Sequence, residues 1–178
     1  SGMAKGADVS AKYEMKQMYV WFVYSLGWVN RNDGIVEYAT HYDRRHNVNV
    51  LVSYVFGDLD QWQVDLRWNY GSGFAFSRTM GNYPNLNFSN NIGDDYLQQN
   101  ETVGTLYEET NGGRLPDFHR LDLNLKYKYS FSEKNILEIN VGATNVYNRD
   151  NIFYFDRVTK SRVNQLPFMP SVGVNWVF

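Results

Sequence analysis

The sequence predicts an all-β fold, an antiparallel transmembrane β-barrel segment of about seven strands that forms the C-terminal part of a larger barrel. Three observations lead there. Apolar residues recur at every second position in stretch after stretch, the spacing of strands with one apolar face. Short and long connections alternate along the chain, as transmembrane barrels arrange them and compact soluble domains rarely do. Aromatics are abundant: 14 Tyr, 11 Phe and 5 Trp make 17% of 178 residues, beside only 4 Pro, a mixture suited to strands and polar loops.

Composition narrows the function classes. A formal net charge of −2 gives no basic surface for nucleic acid. Cysteine is absent, so disulfides and thiol chemistry are excluded. The uncharged run at residues 17–30 is too short and too interrupted for a spanning helix. Barrel strands escape that test, because only alternate residues face lipid. Residues 1–6 (SGMAKG) lack the basic start and apolar core of a signal peptide, which leaves a cleaved tag or a start within something longer.

Each strand has its own justification. Residues 5–15 alternate, with Ala7, Val9, Ala11, Tyr13 and Met15 on one side. After a turn at Lys16-Gln17, residues 18–30 (MYVWFVYSLGWVN) are nearly apolar on both faces. Residues 31–43 read as a polar loop, and residues 45–57 as a third strand with Val48, Val50, Val52, Tyr54 and Phe56 in phase. A tight turn at 57–60 leads to a fourth strand, where Trp62, Val64, Leu66, Trp68 and Tyr70 oppose Gln63, Asp65, Arg67 and Asn69. Residues 71–117 lack sustained periodicity. The fifth strand, 121–131, sets Leu121, Leu123, Leu125, Tyr127, Tyr129 and Phe131 against Asp122, Asn124, Lys126 and Lys128. After a turn at 132–135, residues 137–146 form a sixth strand expected to run on to Phe155, and residues 162–178 return as the seventh.

In a barrel the charged faces (Asp65, Arg67, Asp122, Lys126, Lys128) line a wet lumen and the apolar stripes meet lipid. Aromatics near strand ends, among them Tyr13, Trp28, Tyr54, Phe56, Trp62, Tyr70, Tyr129, Phe131, Trp176 and Phe178, would then form interfacial girdles. An odd strand number conflicts with the even count of complete single-chain barrels, which is why a larger barrel is expected. The last stretch, residues 170–178, alternates and ends on Phe178, similar to the closing strand of outer-membrane barrels.

Five segments carry a family resemblance. Residues 1–15 (SGMAKGADVSAKYEM), 41–50 (HYDRRHNVNV), 71–74 (GSGF), 114–123 (RLPDFHRLDL) and 145–151 (NVYNRDN) resemble, in order, barrel motifs of TonB-dependent outer-membrane receptors. The likeness is strongest to receptors carrying a carboxypeptidase-like regulatory domain ahead of the plug; the proline usual after the 71–73 motif is missing here. The resemblance implies a 22-stranded barrel, of which this chain would supply roughly the last seven strands. It also implies active, TonB-dependent uptake of a scarce nutrient such as a siderophore, oligosaccharide or vitamin across the outer membrane of a Gram-negative bacterium. The partners it implies are outer-membrane lipid, the remaining strands and plug of the same receptor, TonB acting through the plug, and the nutrient. No cofactor is expected.

Two groups of residues are site candidates. Tyr42, Asp43, Arg44, Arg45 and His46, with Arg114, His119, Arg120 and Asp122, repeat an Arg/His/Asp theme at strand mouths and read as a structural cluster pairing adjacent strand ends. Metal ligation by His41 and His46 is disfavoured, since five residues apart they fall on opposite faces of a strand. The stretch 79–113 has no Lys or Arg and carries Asp94, Asp95, Glu101, Glu108 and Glu109. Its Tyr83, Phe88, Asp94, Asp95, Tyr96 and Tyr107 are the candidate ligand-binding residues, able to stack on and hydrogen-bond a polar ligand, or else an ordinary solvated loop. No catalytic motif is present, which points away from an enzyme. The competing fold is a soluble β-sandwich that binds carbohydrate or another ligand, in which the apolar stripes would bury against each other.

Overall fold

The computed structural model describes residues 1–84, 103–132, 135–156, 159 and 161–178. It is all-β and antiparallel. Seven long strands form one meander: β1 (Gly2–Glu14), β2 (Met18–Asn32), β4 (His46–Phe56), β5 (Trp62–Gly71), β10 (Phe118–Ser130), β11 (Ile136–Thr144) and β14 (Met169–Val177). Each pairs with the next, and β1 and β14 are the two edges of the sheet. The described residues therefore form an open sheet, not a closed barrel.

The connections divide by length between the two ends. At one end lie three tight turns. Met15 and Met18 exchange backbone hydrogen bonds of 2.8 and 3.3 Å around Lys16-Gln17. Gly57 and Asp60 take positive φ angles of 101° and 52° to close the second turn. The third joins β10 to β11, where the Phe131 N–H donates to the Asn135 carbonyl at 2.9 Å. At the other end are the long connections, which contain small elements of their own. β3 (Glu37–Ala39) folds back onto β2; β6 (Ala75–Phe76) pairs with β9 (Gly113–Arg114); β7 (Thr79–Pro84) pairs with β8 (Val103–Tyr107); and β12 (Ile152–Asp156) pairs with β13 (Ser161–Asn164).

Register decides what each face carries. One row across all seven strands reads Tyr13, Val20, Val52, Leu66, Leu123, Ala143 and Pro170. Another reads Met18, Tyr54, Val64, Leu125, Val141 and Val172. The rows between them lie on the other face, and one reads Glu14, Tyr19, Ser53, Asp65, Asn124, Gly142 and Ser171. That face is a hydrogen-bonded polar surface: Asp65 accepts from Ser53 at 2.6 Å and from Gln63 at 2.8 Å, and Arg120 pairs with Asp122 at 3.0 Å. It is less polar over β2 and β4, where Trp21, Val23 and Leu51 fall.

Nothing among the described residues covers the apolar face. Ala75 is the one buried hydrophobic side chain among them, while Val172, Val174 and Trp176 are 74%, 67% and 62% exposed. On that face an aromatic file crosses the sheet near the tight turns, with Tyr54 on Phe56 at 6.0 Å, Phe56 on Trp62 at 6.3 Å and Trp62 on Tyr127 at 4.4 Å between ring centroids.

Three expectations change. The sixth strand does not run on to Phe155 but stops at Thr144, and the seventh begins at Met169 rather than Arg162. The reason is Asn145, which is fully buried at φ 54° with Asn148 following at φ 50°. Its N–H donates to Asp122 at 2.9 Å; its amide donates to the Arg149 and Leu166 carbonyls at 3.0 and 3.1 Å and accepts the Arg149 N–H at 3.1 Å. The chain is thereby turned out of the sheet into the β12–β13 hairpin. The polar loop at 31–43 also contains a short strand, β3.

Asn145→Ala should lower stability by about 1–3 kcal/mol, since it leaves buried backbone groups unpaired. Asn145→Gly should recover about 1 kcal/mol of that, because glycine tolerates the left-handed backbone. Urea or thermal unfolding of the two variants checks both, and equal losses would mean that the backbone conformation contributes nothing.

Candidate functional site

The long-connection end is organised by polar side chains. After β3 the chain turns at residues 40–43, where the Asp43 N–H donates to the Thr40 carbonyl at 2.9 Å. The Thr40 N–H donates to the Val29 carbonyl at 3.0 Å, and the Asp43 carboxylate accepts the Val29 N–H at 2.7 Å. This turn thus continues the hydrogen bonding of β2 beyond the point where β4 stops pairing.

Asp43 is fully buried and meets two arginines. Arg45 Nε lies 3.1 Å from its carboxylate, and Arg114, from β9, donates to both the carboxylate and the Asp43 carbonyl. A buried carboxylate is tolerated only when its oxygens are paired in this way. Burial alone would push the Asp43 carboxyl up; the Arg114 hydrogen bond, the Val29 N–H and the two guanidinium charges outweigh it and hold the group below the ordinary aspartate value.

Arg44 points elsewhere. Its guanidinium carbon sits 4.1 Å from the centre of the Phe74 ring and 5.7 Å from that of Phe118. It occupies the space beside Gly71, where a Cβ would come within 2.4 Å of it. Two residues on, a Cβ at Gly73 would fall 1.6 Å from the Leu115 carbonyl oxygen. The two strands of chain are tied there: the Leu115 N–H donates to the Phe74 carbonyl at 2.9 Å, and Asp117 accepts from the Gly73 N–H at 3.1 Å and from the Tyr70 hydroxyl at 2.8 Å. Phe74 is held from both sides.

His46 and His119 are not brought together. His46 bonds the Tyr24 hydroxyl at 2.9 Å, and His119 the Tyr147 hydroxyl at 2.7 Å. Asn151 reads both backbone groups of His119, accepting its N–H at 3.1 Å and donating to its carbonyl at 2.9 Å. Arg120 and Asp122 pair with each other along β10. Tyr42 lies in the wall of a neighbouring cleft. Among the described residues no group of three His, Asp or Glu could hold a metal ion.

That cleft has a volume of about 460 Å³ and is walled by Phe74, Phe76, Leu115 and Phe153–Phe155. His41 and Tyr42 complete it, their rings packed edge-on at 4.7 Å. Phe153 and Leu166 share a further hollow with Arg120, a residue of the polar rows, so the β12–β13 hairpin lies over the polar face of the sheet. Sequence reasoning missed these aromatics. Their one signal was the clustering of rings at 74–76 and 153–155 outside any long alternating stretch.

The ligand-binding candidates fall differently. Tyr83, on β7, lays its ring across Gly104 of β8, where a Cβ would meet it at 2.5 Å, and Tyr107 ends β8 opposite Thr79; neither lines the cleft. Phe88, Asp94, Asp95 and Tyr96 lie outside the described residues.

Asp43→Asn should cost about 1–3 kcal/mol at neutral pH, since it weakens the pairing of Arg45 and Arg114. Because the folded carboxyl titrates below its unfolded counterpart, its contribution is complete above about pH 4 and is lost as pH falls further. Unfolding measured at pH 7 and at pH 3 should therefore show a smaller acid loss in the variant than in the wild type. An equal loss in both would remove Asp43 from the acid response.

Compared with known proteins, the chain matches no family model, no curated protein and no solved structure.

Proposed function

We propose that this chain is the C-terminal barrel portion of a TonB-dependent outer-membrane receptor, contributing wall and extracellular connections to the active uptake of a scarce nutrient. The observation that carries the proposal is the two-faced sheet. Seven strands in one register present a continuous apolar surface that no described residue covers, and a hydrogen-bonded polar surface on the other side. A soluble protein rarely leaves so large an apolar patch to water. Lipid on one side and a wet lumen on the other account for both faces at once.

The ends fit the same reading. Tight turns gather at one end, beside the aromatic file, and long connections at the other. Barrels place their short turns in the periplasm and their long loops outside. β11 and β14 have 9 residues each and β5 has 10, enough for tilted strands to span the hydrocarbon layer. The edges β1 and β14 would pair with further strands of the same receptor, because seven strands are fewer than the roughly eight of a small closed barrel. The five sequence motifs resembling this receptor family add independent support. The role is transport rather than catalysis, driven through a plug and TonB.

The absence of cysteine makes the test clean. Nitroxides attached to single cysteines at 66, 123 or 141 should be more accessible to oxygen than to a water-soluble nickel complex in native outer membranes. At 65 or 124 the order should reverse. Outer-membrane fractions should also retain the chain until detergent is added. A chain released by buffer alone, with no difference between the two sets of positions, would sink the proposal in favour of a soluble sheet protein.

A further inference from the structure

The aromatic cleft at the long-connection end is chemically unusual for this molecule. Over β5, β10, β11 and β14 the apolar side chains share one face of the sheet, whereas here rings gather beside the β12–β13 hairpin, which borders the polar row at Arg120. Phe153 and Tyr154 on that hairpin are 64% and 48% exposed. Rings left in water next to a concave surface mark a place where something binds.

The walls specify what. None of the lining residues is Asp, Glu, Lys or Arg. Arg44, although stacked on Phe74, is not in the wall. A charged ligand would lose its hydration and gain no counter-charge, so the occupant is neutral where it touches the cleft. Most polar atoms at the wall are already engaged. Ser77 Oγ accepts the Asn111 N–H at 2.9 Å, and the Asn111 amide donates to the Ala39 carbonyl at 2.8 Å. The side chains of His41, Tyr42 and Tyr154 make no hydrogen bond among the described residues and offer an imidazole and two phenols. Three such groups are too few for the many hydroxyls of a sugar, and each hydroxyl left unpaired in a cleft is penalised. Flat apolar rings with one or two polar atoms match both wall and volume.

We propose that this cleft binds a neutral, largely apolar, ring-bearing small molecule, which places its polar group against His41 and Tyr42. The binding site stands on the geometry alone; its identification with the imported cargo rests on the receptor reading above.

Benzophenone is a suitable probe, being neutral, two-ringed, equipped with one acceptor oxygen and photoreactive. The whole protein, extracted in detergent, is irradiated with increasing benzophenone and its adducts are located by peptide mass spectrometry. Saturable adducts are expected on peptides containing residues 74–76 or 153–155. Excess fluorenone should displace them and maltoheptaose should not. Adducts on the lipid-side stripes should grow without saturating. Phe76→Ser with Phe155→Ser should abolish the saturable labelling. Tyr42→Phe, which removes one hydroxyl and keeps the ring, should raise the half-saturating concentration by about threefold to tenfold, the worth of one hydrogen bond.

The proposal is overturned if the cleft peptides show no saturable adducts, if maltoheptaose displaces the label and fluorenone does not, or if Tyr42→Phe leaves saturation unchanged. Nitroxide accessibility at positions 65 and 66, measured on the same preparations, reports the membrane placement separately. Cleft labelling that persists without that pattern would refute the receptor reading and leave the binding site standing.

Discussion

Strand register is the constraint on which the rest of this molecule depends. Side chains alternate across a sheet with period two, so a slip of one residue in any pair would turn that strand inside out. Seven strands here keep the same phase, and the row from Tyr13 to Pro170 crosses every one of them. Three tight turns hold the phase at one end. At the other it is held through connections long enough to contain strands of their own. A single slipped pair would place Asp65 or Asp122 among leucines and valines, and that cost is what makes the register unique.

The two ends of the sheet are stabilised by different physics. Over the strands, backbone ladders and cross-strand rows do the work. Above them Ala75 is the one buried hydrophobic side chain among the described residues, too little for an apolar core. Polar locks take that place. Among the described residues the largest fully buried side chains are Asn145 and Asp43, and each bonds backbone groups of other segments. Asp43 gathers β2, β9 and Arg45 ahead of β4, while Asn145 gathers β10, the residues after β11 and the segment before β14. Such locks are directional, so they position Phe74, Phe76 and the β12–β13 hairpin more sharply than hydrophobic collapse would.

That positioning links fold to proposed function. The polar locks bring chain segments from residue 41 to residue 155 around one aromatic cleft beside the β12–β13 hairpin. On the receptor reading this is the outer mouth of the lumen, where a nutrient would first meet the protein. The charged candidates at the strand mouths then serve as scaffold: Arg114 and Arg45 neutralise Asp43, Arg44 braces Phe74, and ligand contact passes to the uncharged rings they hold.

Local periodicity was enough to read the long strands. Residues 121–131 alternate without a break, and the structure pairs β10 on both sides in the phase that alternation requires. Two of the tight turns were equally legible, since glycine and aspartate mark the one at 57–60 and asparagine the one at 132–135. The end of the sixth strand was not, because apolar residues resume at 152–155 beyond the polar run 148–151. Hydropathy does not encode that Asn145 adopts a left-handed backbone and satisfies a loop with its amide. Nor could spacing reveal that Arg114 would meet Asp43, 71 residues away, or that the rings at 74–76 and 153–155 would share a cleft. The sequence by itself determined strand positions and the side each strand turns to its neighbours, because alternation is a property of adjacent residues. Only the tertiary structure decided the binding geometry, because directional contacts between remote segments leave no periodic trace along the chain.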